Sequence, residues 1–403
     1  MPSPRARPSL ALRIPNYRRF IAGQGVSLIG SWTETIAQGV LVLQLTNSPL
    51  QLGIVAALRY LPVLLFAPYA GVIVDRHDRR RVLITTQSLL GGLSAVLGIA
   101  VVLQIISIEA VYVFALSFGV LTALDNPARM ALIPELVDRE ALRDAITLNS
   151  ILANVGRGVG PVVAAGLLAT VGAAWCFFVN AGSFVFVVVA LLLIDRSQMH
   201  PEGTVPRRGG QLRAALVVAR RTPDILGPLA MMAVVGTLTY EFEVSFPLFA
   251  ERSLDGGAVE YAWLTAAFGA GAVLAGLILI FWPQTGLRQM VWITVAYAAA
   301  LALAATAPTS LWANAAVVLV GSASIGFLTT GNATIQLAAP AQMRGRITSL
   351  WTMAFTGSTP IGALIIGGVG ALWGGRSTVY VAAAACAAAA LVGWSILRRQ
   401  PRV

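Results

Sequence analysis

The sequence predicts an all-α integral membrane protein, with twelve transmembrane helices in two pseudo-symmetric bundles of six. Three observations carry that reading. Of 403 residues, 57% are hydrophobic and only 11% charged, where a soluble domain carries roughly 25% charged residues. The apolar residues run in blocks long enough for a helix to cross a hydrocarbon core of about 30 Å. The arginines gather in alternate connecting loops.

The expected helices are 18–45, 51–74, 82–104, 109–132, 143–170, 174–194, 224–250, 258–281, 288–307, 311–337, 345–370 and 376–397. Backbone groups in lipid must be satisfied within each segment, which favours helices throughout. The polar stretch 195–223 contains Pro201, Gly203, Pro206, Gly209 and Gly210 and reads as a cytoplasmic linker rather than a span. It divides the chain into bundles 1–194 and 224–403. A short internal repeat supports the division. Leu142-Arg143-Asp144-Ala145-Ile146-Thr147 opens the fifth helix, and Met343-Arg344-Gly345-Arg346-Ile347-Thr348 opens the eleventh. Each helix then carries a proline in its middle, Pro161 and Pro360.

The net charge of +11 comes from arginine alone, because the chain has no lysine. Such a basic balance raises nucleic acid as a partner, but these arginines sit at the ends of apolar blocks, where topology explains them. One set of loops holds nearly all of them, and the opposite set holds only Arg252 and Arg376. Positive residues stay cytoplasmic, so both termini are expected inside a bacterial cytoplasmic membrane, with the lipid bilayer as the surrounding partner. Residues 1–19 are rich in Arg and Pro and lead into a full-length span, so no cleavable signal peptide is expected. Cys176 and Cys386 lie inside apolar runs and read as buried thiols, not as a disulfide or metal site. No metal site, catalytic residue or cofactor is expected. His77 and His200 lie in polar loops, and neither H-E-x-x-H nor G-x-S-x-G occurs. A chain without lysine has no Walker A motif.

Ionisable residues inside spans mark function by default, because burying them is costly. Glu34 in the first helix and Glu241 and Glu243 in the seventh are the candidate proton carriers. Arg59 and Arg157 are available to pair with them, and a static ion pair locking helices together is the alternative role for each. Trp32, Gln38, Gln44, Tyr240, Phe242, Phe246, Asn332, Gln336, Trp351 and Phe355 are candidates to line a wide amphipathic cavity, since ligand pockets are mostly apolar with a few placed polar groups. In the fifth helix, Gly156, Gly160 and Pro161 provide small residues at four-residue spacing, which lets helices approach closely.

Between the second and third helices, Gly71-Val72-Ile73-Val74-Asp75-Arg76-His77-Asp78-Arg79-Arg80-Arg81 packs four arginines into six residues. This loop resembles the G-x-L-x-D-R-x-G-R-[RK] loop of the major facilitator superfamily, with Asp78 where the family has Gly. Asn126-Pro127-Ala128-Arg129, Pro134-Glu135-Leu136-Val137, Asn149, Gly160-Pro161 and Arg344-Gly345-Arg346 are similar to the superfamily branch of enterobactin exporters and macrolide or tetracycline efflux pumps. The fifth-helix run resembles the exporter motif G-x-x-x-G-P-x-x-G-G, with Ala164 and Ala165 in place of glycines.

The resemblance implies a secondary active exporter of hydrophobic or amphipathic small molecules, drug-like or siderophore-like, working by proton antiport and alternating access. It implies a cytoplasmic gate of Gly71, Asp75, Arg76, Arg79 and Arg80, with Asp125 as the partner of Arg79 and with Gly345 and Arg346 at the start of the eleventh helix. A monomer driven by the proton gradient is expected. The apolar stretch Tyr112–Leu124 lacks the arginine that many drug/proton antiporters carry there. Proton-coupled import, lysolipid flipping and a transport-inactive sensor or scaffold are the alternative readings.

Overall fold

The computed structural model describes residues 10–200, 211–281, 285–340 and 343–398. Among them eleven helices are long and apolar enough to cross a membrane, or twelve when one bent pair counts as a single span. The first six spans are Pro15–Thr46, Pro49–Arg76, Arg79–Val102, Ile108–Leu136, Leu142–Thr170 and Ala173–Leu192. The seventh is the bent pair Pro223–Leu238 and Phe242–Ser253, followed by Gly257–Phe281, Leu287–Ala305 and Ser310–Ala338. The eleventh is Arg344–Thr356 with Thr359–Trp373, and the twelfth is Gly375–Arg398.

Span termini follow local chemistry. Asp78 caps the third span by accepting a 3.0 Å hydrogen bond from the Arg81 N–H. Its φ of −60° needs no glycine, which accounts for the departure from the family pattern at this position. Ser107 and Thr309 cap the fourth and tenth spans through their hydroxyls. Gly172 joins the fifth and sixth spans at φ +89°, ψ 175°. Gly374 joins the eleventh and twelfth at φ +84°, ψ 174°. Only glycine adopts this backbone without strain, so the two sequence halves share an unusual turn at corresponding places. That is structural support for the repeat.

Three expectations need correction. The seventh helix was expected unbroken over 224–250, but it bends by 42° around Thr239–Glu241. The eleventh, expected over 345–370, is interrupted at Gly357 and Ser358, and Pro360 lies in the first turn of its second piece rather than in the middle of a helix. Proline lacks the N–H that the first turn leaves unused. The fourth helix, expected over 109–132, runs on to Leu136, so Pro134 and Glu135 lie within it rather than after it. The linker also contains a helix, Gln211–Arg221.

The chain folds as two compact units: Met1–Gln38 with Leu65–Pro206, and Gly39–Leu64 with Arg207–Val403. In the first, Tyr17, Phe20, Val74, Leu83, Leu132, Leu136 and Leu191 form one buried cluster, and the Tyr17 hydroxyl donates to the Ala145 carbonyl at 2.7 Å. In the second, the end of the first span from Gly39 and the second span as far as Leu64 pack among the C-terminal helices. Gly53, for instance, lies against the Ala363 carbonyl and Gly367. Cys176 and Cys386 are buried free thiols.

Candidate functional site

Two groups of buried polar side chains stand out, one in each unit. In the first, Glu34 is fully buried. Its Oε2 accepts hydrogen bonds from Ser94 Oγ on the third span at 2.5 Å and from Asn180 Nδ2 on the sixth at 2.8 Å. The Ser183 hydroxyl donates to the Asn180 carbonyl and side-chain oxygens at 2.7 and 2.9 Å. Gly30, one turn before Glu34, is hemmed in by this same pair, Asn180 and Ser183. The carboxylate is therefore held between the first, third and sixth spans by neutral donors. Sequence reading singled out Glu34 but not Ser94 or Asn180. Asn180 was detectable as the lone amide in the apolar run Ala173–Leu192.

In the second unit the Tyr60 hydroxyl donates a 2.8 Å hydrogen bond to Glu243 Oε1. Arg59 adjoins Tyr60 in sequence and acts electrostatically on it. Glu241 is 2% exposed and sits at the bend of the seventh span. Two acids thus share this region with one arginine. Around the bend, Tyr240 meets Phe355 edge-on at 5.0 Å between ring centres, and Phe242 lies 4.7 Å from Phe268 and 4.8 Å from Phe246. The Tyr240 hydroxyl donates to the Ser324 carbonyl at 3.0 Å. Tyr240, Phe242, Phe246 and Phe355 therefore converge. Trp351 takes another position, 6% exposed and packed on Phe327 and Gly331, as a packing residue does. Asn332 and Gln336 bond to each other at 3.1 Å on the tenth span. Gln44 lines a separate pocket of about 160 Å³ with Glu251 and Tyr261.

Trp32 and Gln38 belong to the first unit. The Arg157 guanidinium lies 5.3 Å from the Trp32 ring centre, close enough for cation–π attraction. Gly156 and Gly160 face the first span. A side chain on Gly156 would meet Leu28 Cβ at 2.9 Å, and one on Gly160 would meet the Ile29 carbonyl at 2.9 Å and run into Trp32. Thr33 Oγ1 donates to the Gly160 carbonyl at 3.1 Å across the same contact.

The charged loop requires a correction. Arg79 pairs not with Asp125 but with Glu135, each side chain 12% exposed, and its guanidinium also donates to the Ala131 carbonyl at 3.4 Å. Asp125 is occupied by Thr86 at 2.7 Å and Gln87 at 2.8 Å, both donated from the third span. Arg80 donates to the carbonyls of Leu191 at 2.6 Å and Leu192 at 3.1 Å, a cation closing the C-terminal end of the sixth span. Arg196 reaches Asp78 at 3.3 Å. Arg76 is exposed, and Gly71 and Arg346 are partly so. The side chain of Asp75 and the surroundings of Gly345 lie outside the described residues. Asp195 follows the sixth span. Its carboxylate accepts from the Ser197 hydroxyl at 2.7 Å, the Ser197 N–H at 2.9 Å and Gln198 at 3.0 Å. These bonds, that of the Ser197 hydroxyl first, hold its pKa below the usual aspartate range.

An all-helical chain of eleven to twelve spans, with paired turns in its two halves and carboxylates buried inside its spans, has the architecture of the major facilitator fold, and its family and relatives make it a multi-pass membrane transporter rather than an enzyme. Residues 8–401 match the family described as transmembrane secretion effector, and the chain belongs to that family of the major facilitator superfamily. It is 26% identical over 370 residues to the enterobactin exporter EntS of Salmonella paratyphi A, covering 90% of this chain and 88% of the relative. It is likewise 26% identical over 369 residues to the enterobactin exporter EntS of an Escherichia coli O139:H28 strain, covering 90% and 87%. Among solved structures, a bacterial homologue of the iron transporter ferroportin in an inward-facing state superposes with a TM-score of 0.76 at 16% identity, covering 97% of this chain and 100% of that one. A bacterial homologue of the human lysosomal transporter Spinster gives 0.74 at 15% identity, covering 97% and 98%.

Proposed function

We infer that this protein exports a hydrophobic or amphipathic small molecule across a bacterial cytoplasmic membrane, by alternating access and in exchange for protons. The observation that carries the reading is the burial of Glu34 and Glu241 inside spans, in a chain whose relatives are enterobactin exporters. A carboxylate in lipid is costly and persists where it has a role. Its exchange of a proton with either side supplies coupling without a cofactor. The convergence of Tyr240, Phe242 and Phe355 supports an apolar, aromatic-lined path for the cargo. The charged loop with Arg79 and Arg80, held by Glu135 of the fourth span, acts as the gate on the cytoplasmic side, where both termini lie, and the chain works as a monomer.

The test is an efflux panel of antibiotics, dyes and siderophores in a host deleted for its own pumps. Expression should lower the accumulation of at least one compound, and a protonophore should abolish the difference. Uptake of the same compound into oriented vesicles against the expected direction would instead mark an importer.

A further inference from the structure

The bend in the seventh span creates a site that neither aromatic packing nor the Tyr60–Glu243 bond explains. The backbone bonds of its first piece end with Thr239 N and Tyr240 N, which both donate to the Val235 carbonyl. The next ones run from Val244 N and Ser245 N to the Glu241 carbonyl. None of these reaches the carbonyls of Gly236, Thr237 or Leu238, the last of the first piece, which a helix end leaves without an N–H in the same helix. Opposite them lies Gly362, in the opening turn of the second piece of the eleventh span. The Thr237 carbonyl oxygen and Oε1 of Glu241 both crowd the face of Gly362 where a side chain would stand, the latter at 2.7 Å. Among the described residues this Oε1, buried with its residue at 2% exposure, has no hydrogen-bond partner.

Two acceptor oxygens thus flank one position on Gly362, and among the described residues no donor reaches Oε1. With an ionised carboxylate the arrangement repels. With one proton it becomes an O–H donating to a carbonyl, which satisfies both groups. We propose that Glu241 carries a dissociable proton on Oε1, donated to the Thr237 carbonyl, so that the broken seventh span is itself the proton-binding site. On release the carboxylic acid becomes a carboxylate and the proton passes to water that reaches the bend. The proposal rests on the exporter reading only for its purpose, not for its chemistry.

The neighbouring charges fit. Glu243 and Tyr60 act electrostatically with Glu241. Glu243 already holds the Tyr60 hydroxyl, and Arg59 is the cation on the second span beside Tyr60. The twelfth span contributes Cys386, against the Thr239 hydroxyl, and the eleventh contributes the bare Gly362. A hard metal ion takes about six oxygens or more, which exceeds the pair that converges here.

Infrared difference spectroscopy of the purified full-length protein, between acidic and alkaline buffers, reads the site without any cargo. The expected result is a protonated-carboxyl band that disappears in Glu241→Gln and shifts in Gly362→Ala, where the added methyl intrudes between the two oxygens. If Glu241→Gln does not survive purification, the Gly362→Ala shift against wild type decides. A band unchanged in both variants, or absent from wild type, overturns the proposal. So does a band that sodium removes at constant pH, which would make the site one for a small cation. Retention of the band in a protein whose efflux ignores the protonophore would sink the exporter reading and leave the proton site standing.

Discussion

Tyr60 on the second span and Glu243 on the seventh are joined by a 2.8 Å hydrogen bond, two residues that sequence separation hides and folding brings together. Interhelical hydrogen bonds in membrane proteins average about 0.6 kcal/mol and reach about 1.7. The acidic acceptor places this one above the average. A double-mutant cycle of Tyr60→Phe and Glu243→Gln, read by thermal unfolding in nanodiscs, should give a coupling of about 1 kcal/mol. Additive effects would show that the pair does not hold the spans together.

The Arg79–Glu135 pair makes a sharper prediction, because the alternative partner is known. Removing one member of a largely buried ion pair costs about 3 kcal/mol, the low end for buried pairs since both side chains keep some exposure. Arg79→Ala and Glu135→Gln should each destabilise the first unit by about that much, with the double variant little worse. Asp125→Asn should couple to Thr86 and not to Arg79. Neither Arg79→Ala nor Glu135→Gln should alter which compounds are exported.

The Glu34 cluster predicts an order of severity. Asn180→Leu removes a donor to a buried carboxylate and also the acceptor that Ser183 uses, so it should cost about 1.5–3 kcal/mol. Ser94→Ala, which removes one donor and leaves no new acceptor orphaned, should cost less. Equal losses in a thermal-shift assay would argue that Asn180 does not organise the cluster.

Two glycines of the fifth span, Gly160 and Gly166, should behave in opposite ways. Gly160→Ala drives a methyl into Trp32 and the Ile29 carbonyl and should cost about 1–3 kcal/mol. Gly166→Ala meets nothing within 4 Å and should stay within about 0.5 kcal/mol of wild type. The comparison separates packing from the general cost of altering a membrane helix.

Asp195 sets a pH dependence outside the membrane. Its acidity is stronger in the folded protein than in the unfolded chain, chiefly through the Ser197 hydroxyl. The folded state therefore gains from the ionised form above the ordinary aspartate range of about 4, and loses that gain as pH falls through the lower folded value. Thermal midpoints should drop on the acid side for wild type and drop less for Asp195→Asn.

The spans were legible because a lipid core imposes one rule on every segment, and apolar length alone locates them. Their breaks were not. The seventh helix bends at Glu241 where the eleventh meets it at Gly362, a tertiary contact that no local propensity announces. The fourth helix was read as ending before Pro134, yet prolines inside spans persist where neighbours satisfy the freed carbonyls. The partner of Arg79 was missed for a reason of depth. Asp125 and Glu135 stand about 15 Å apart along one helix, and only the docked position of the third span decides that Thr86 and Gln87 take the deeper acid. The acids themselves were visible at once, because Glu34, Glu241 and Glu243 interrupt apolar blocks. The donors that define them, Ser94, Asn180 and Tyr60, are ordinary residues until the fold assembles them.

The central claim is export coupled to a proton carried by a buried acid. Its most direct test is accumulation in the pump-deleted host, comparing wild type with Glu241→Gln at matched membrane expression, each with and without a protonophore. The account predicts that wild type lowers the accumulation of at least one compound, and that either the protonophore or the substitution removes the effect. Export that survives both would contradict it.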